Sequence, residues 1–84
     1  MEVKDYKQTI RTTDVVHIYD QEKDINWFIA FEKLNGVLYG NAREMINYDF
    51  FRKQGPDYMQ QVYDLAYKHI ENIENKRIKR ARLQ

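Results

Sequence analysis

The sequence predicts a small α+β fold, a short antiparallel sheet packed by one long C-terminal helix. Three observations carry that expectation. Asn35-Gly36 separates two apolar, β-prone runs. The stretch from Asp57 onward has the spacing of an amphipathic helix, and Gly55-Pro56 punctuates the chain just before it.

From the N-terminus, residues 1–12 alternate weakly through Val3, Tyr6, Gln8 and Ile10, which suits an edge strand or an ordered arm. Thr12-Thr13-Asp14 reads as a turn. Val15–Tyr19 is β-branched and aromatic, hence a strand. A polar turn follows over Asp20–Asp24, and Ile25–Lys33 is the strongest strand. Asn35 and Gly36 supply the two positive-φ positions of a type I′ turn, so Val37–Gly40 returns beside its predecessor with 34 facing 37, 33 facing 38 and 32 facing 39. About three strands are expected in all.

Side chains alternate across a strand. One face of the hairpin then carries Ile25, Trp27, Ile29, Phe31 and Leu38, the better core candidate. The other carries Phe28, Ala30, Leu34, Val37 and Tyr39, interrupted by Asn26 and Glu32, and is unusually apolar for a solvent face.

Asn41-Ala42-Arg43-Glu44 has the form of a capping box, which predicts a helix over about 42–53. Its apolar residues spread around the circumference, and Ile46–Phe50 also alternates like a strand. The last segment is cleaner. At 100° per residue, Tyr58, Met59, Val62, Tyr63, Leu65, Ala66, Tyr67, His69, Ile70 and Ile73 share one very wide apolar arc. The stripe lapses after Ile73, so the domain is expected to span 1–75, with 76–84 as a basic helix end or tail.

The chain has 84 residues, 43% hydrophobic and 32% charged, a globular balance for one domain. A domain this small buries only about 60% of its unfolded surface. Its rings, Trp27, Phe28, Phe31, Phe50 and Phe51 among them, are therefore expected to supply much of the core. The net charge of +1 conceals an asymmetry: residues 1–75 hold 13 acids and 9 bases, whereas 76–84 hold five bases and no acid.

Several function classes lack their chemistry. There is neither serine nor cysteine, which removes the two commonest side-chain nucleophiles, disulfides and thiolate metal sites. The three glycines form no phosphate loop, and His17 and His69 have no metal-ligand spacing. Asp20, Glu22 and Asp24 crowd one turn without the spacing of a calcium loop and read as solvated carboxylates. No enzyme activity, cofactor, metal site or small-molecule substrate is expected. No apolar run approaches 18 residues and the N-terminus is charged, so neither a membrane span nor a secretory signal is expected, and a cytoplasmic location is the default.

Two surfaces remain. Phe28, Val37 and Tyr39 on the second sheet face, with Tyr63 and Tyr67 at the edge of the helix stripe, are candidates for contact with a protein partner or a second copy, since tyrosine buries a ring while keeping a polar tip. Lys76, Arg77, Lys79, Arg80 and Arg82 are candidates for phosphate contact with nucleic acid. The leading reading of the same bases is a solvated helix end whose cations complement the helix dipole, and docking on an acidic protein is the third. These bases ring the helix and no aromatic stands among them to stack a base. The expected class is a small non-enzymatic regulator or inhibitor acting by surface contact, with nucleic-acid binding as the alternative. The richness in Lys, Ile, Asn, Tyr and Glu resembles that of small proteins of AT-rich bacteria and their phages, which suggests a phage or mobile-element source.

Overall fold

The computed structural model describes residues 1–8 and 14–83, with side chains described for 1–4 and 14–73. Four strands, β1 (Glu2–Gln8), β2 (Asp14–Asp20), β3 (Ile25–Leu34) and β4 (Val37–Asn41), form one antiparallel sheet in the order β1-β2-β3-β4. Two helices follow, α1 (Tyr48–Lys53) and α2 (Pro56–Leu83). The class is α+β, as the sequence predicts, but the sheet has four strands rather than three. The polar N-terminal segment is a full edge strand, paired with β2 from Glu2↔Tyr19 to Gln8↔Asp14, with a register shift between Val3 and Asp5. A segment with little apolar pattern becomes a strand here because β2 offers it an edge to complete.

The hairpin turns at Asn35 and Gly36, with φ of 53° and 80°, and its register is Leu34↔Val37, Lys33↔Leu38 and Glu32↔Tyr39. That is the pairing a two-residue type I′ loop imposes. Alternate residues in the middle of β2 and β3 are buried: Val16, Ile18, Trp27, Ile29 and Phe31 on the sheet, closed by Phe51 of α1 and by Val62, Ala66 and Ile70 of α2. The wide arc of α2 is used because sheet and α1 press on it from different sides. Tyr58, Met59, Tyr63, Leu65 and Tyr67 pack at the margins of the same core.

The predicted helix over 42–53 is corrected to six residues, Tyr48–Lys53. Residues 42–47 instead make two successive tight turns, with Met45 N–H bonded to Ala42 C=O and Tyr48 N–H to Met45 C=O, both at 3.0 Å. Asn41 does cap, but it caps a turn: its Oδ1 accepts the Arg43 N–H at 2.8 Å. The reason lies in the dispersed apolar residues. The turns bring both Ala42 and Met45 into the core and leave Ile46 at the surface. Gly55 then ends α1 at φ 96°, and its carbonyl accepts the first bond of α2, from Met59.

Candidate functional site

Both helices lie on one side of the sheet, so the other side is open. Its residues are the alternate positions of β2, β3 and β4. Phe28, Leu34, Val37 and Tyr39 are 44–55% exposed, while their strand neighbours Trp27, Ile29 and Phe31 are at most 1% exposed. Leu34 faces Val37 and Glu32 faces Tyr39 across the hairpin. This end of the face is apolar, with a single carboxylate within it.

Toward the other end the face becomes polar and ordered. The His17 ring stacks on Phe28 with centroids 4.6 Å apart and planes 19° from parallel. Its Nε2 lies 2.6 Å from Asn26 Oδ1, which fixes the ring over one face of Phe28. Tyr19 donates its hydroxyl to Asp24, and that bond raises the tyrosine's pKa above its usual value. The Lys4 ammonium sits 5.5 Å above the Tyr19 ring. His17 is thus held by stacking and by an amide.

No family model, curated protein or solved structure matches this chain. What the surface can do therefore follows from its own chemistry. That chemistry is exposed apolar area with a polar margin.

The remaining candidates fall elsewhere. Tyr63 and Tyr67 are half-buried, and their hydroxyls accept backbone N–H groups of Ala42 at 3.2 Å and Gly40 at 2.7 Å. Tyr67 also packs edge-on against Phe31, with centroids 4.9 Å apart. They fasten the helix to the outer edge of β4, behind the open face and separate from it. Nothing in the spacing of the tyrosines announces this use; it depends on where β4 passes the helix.

The acidic turn is divided between two tasks. Asp20 is buried and accepts the Tyr58 hydroxyl together with the N–H groups of Glu22 at 3.0 Å and Lys23 at 3.3 Å. The Tyr58 bond chiefly holds its carboxyl below the usual range. Burial, with Asp20 beside it, pushes Tyr58 up to about 12. Tyr58 in turn accepts the Trp27 indole N–H at 2.9 Å. This chain of bonds satisfies a buried carboxylate and a buried indole at once, and its role is to lock the start of α2 to the sheet. Asp24 bonds Tyr19 instead, so the turn's carboxylates do not converge, and no metal-binding group of three occurs among the described residues.

The basic segment continues α2 to Leu83, but the side chains of Lys76, Arg77, Lys79, Arg80 and Arg82 lie outside the described residues. No helix among the described residues is long and apolar enough to cross a membrane.

Proposed function

We propose that this chain is a non-enzymatic interaction module, a small regulator or inhibitor that acts by surface contact through the open face of its sheet. One observation carries the proposal: four large apolar side chains, Phe28, Leu34, Val37 and Tyr39, stand about half exposed on a face that neither helix covers. A two-layer domain usually presents a mostly polar face there. The lack of serine and cysteine supports the same reading, because contact needs no nucleophile. A cytoplasmic location and a phage or mobile-element source belong to the proposal through composition alone.

The contact is with a second copy or with a target protein, and twofold self-association is the simplest case. The test replaces Phe28 and Tyr39 singly by glutamate and measures mass in solution and capture of partners. Loss of the dimer mass or of capture in folded variants supports the proposal. Unchanged mass and unchanged capture in both variants remove its main support. The alternative, phosphate contact by the five bases of 76–82, predicts retention on heparin that deletion of 76–84 abolishes. Its salt slope on duplex DNA would be no steeper than about −4.5, from five charges.

A further inference from the structure

The hairpin's two sides differ in how their backbone groups are met. The two-residue turn makes Leu34↔Val37 a hydrogen-bonded pair, and the same parity runs through Glu32↔Tyr39 and Ala30↔Asn41. The even-numbered residues of β3 therefore aim their N–H and C=O away from β2. Phe28 displays this direction, since its N–H donates to Met45 Sδ at 3.3 Å in the segment after β4. β4 ends at Asn41, opposite Ala30, so the start of β3 extends beyond it. The Asn26 N–H, the Asn26 C=O and the Phe28 C=O face that same side. None has a hydrogen-bond partner among the described residues. On the outer edge of β4 the Gly40 N–H, and the Ala42 N–H just past the strand, are each received by a tyrosine hydroxyl.

A groove of about 580 Å³ lies before these unpaired groups, between β3 and the 44–50 segment. Phe28, Met45, Ile46 and Phe50 form its apolar walls, and Ile46 is fully exposed. Asp24 and Glu44 also line it, and no basic residue does. Unpaired strand groups call for an extended backbone, apolar walls for an apolar side chain, and two carboxylates for a cation.

We propose that this groove receives an extended segment of a partner polypeptide bearing lysine or arginine, added as a short strand in line with β4 against Asn26 and Phe28. The occupant is a different chain: the cationic stretch of this one, 76–82, is helical and its backbone bonds are already made. The proposal deepens the interaction reading by naming a second surface and its ligand chemistry, and of the apolar contact candidates only Phe28 is common to the two surfaces.

The test uses the full chain and capped five-residue peptides that alternate arginine or lysine with valine, leucine or phenylalanine, titrated at low salt and followed by amide NMR and hydrogen exchange. The Asn26 amide should shift and become protected from exchange. The same peptides methylated on alternate backbone nitrogens, which keep their charge, should bind about tenfold more weakly or worse in one of the two methylation phases, because they lose the strand bonds. A glutamate-for-arginine peptide should not bind, and the Asp24→Asn/Glu44→Gln double variant should bind the cationic peptides several-fold more weakly. Asparagine suits the left-handed backbone at 24, where φ is 52°. Equal binding of all methylated forms, an unmoved Asn26 amide, or no saturable binding by any cationic peptide overturns the proposal. Tyr39→Glu, which lies outside the groove, should leave peptide binding unchanged, so failure of the sheet-face proposal and failure of this one are read separately.

Discussion

Trp27 and Phe28 are neighbours on one strand with opposite fates. Trp27 is wholly buried, its ring 4.9 Å from that of Phe51 and its N–H held by Tyr58. Phe28 is 44% exposed and covered in part by His17. Both are large aromatics on the same backbone, and their difference follows from the period of two along a strand and from both helices lying on a single side. Hydrophobicity alone does not place a side chain in a core; the core is the face that the rest of the chain can reach. What remains on the unreached face is available for another molecule.

The largest expected effect tests this comparison at its centre. Trp27→Ala should lower stability by about 3–5 kcal/mol in urea or thermal unfolding, the cost of an empty core site. Phe28→Ala should cost about 1 kcal/mol or less, since its water-facing half loses little. Equal effects would mean that the two faces are not energetically distinct.

A smaller effect probes how tightly the covered face is packed. A Cβ at Gly40 would stand 2.9 Å from Phe31 Cε1, on the ring that Tyr67 meets edge-on. Gly40→Ala should therefore destabilise by about 1–3 kcal/mol through overpacking, although alanine is otherwise the better strand residue. A neutral change in melting temperature would show that Phe31 has room to move.

The smallest effect concerns the polar lock at the margin of the core. Asp20 has a lowered folded-state pKa, so its contribution is present above the ordinary carboxylate pKa near about 4 and is lost as pH falls through the folded value. Tyr58 has a raised one, about 12, so its contribution is full below about 10 and is lost as pH rises toward the folded value. Asp20→Asn should cost about 1–2 kcal/mol at pH 7, and the gap from the parent chain should close in acid. A gap that persists unchanged at pH 2 would show that Asp20 acts by shape rather than by charge.

Much of this architecture is legible in the sequence. Asn35-Gly36 named the turn and thereby the register, and the alternation through Trp27, Ile29 and Phe31 named the core face. Residues 42–47 were less so, because a capping-box pattern is local and the structure that wins there is set by where Ala42 and Met45 find burial. The contact candidates divided similarly. Phe28, Val37 and Tyr39 stand on the open face, whereas the hydroxyls of Tyr63 and Tyr67 are engaged within the chain. No sequence signal pointed to the groove beside Asn26, since it exists only because β4 is five residues long and β3 is ten.

By itself the sequence determined the α+β class, the hairpin, its register, the two sheet faces and the course of α2, because each rests on a short-range period or on the φ preferences of two adjacent residues. Tertiary structure alone decided between strand and arm for the N-terminal segment, the shortened α1, the Asp20–Tyr58–Trp27 lock and which backbone groups at the strand edges find partners. Those features join residues far apart in the chain, as Gly40 is from Tyr67. A hydrogen bond over such a separation exists only once the packed elements have brought its donor and acceptor within about 3 Å.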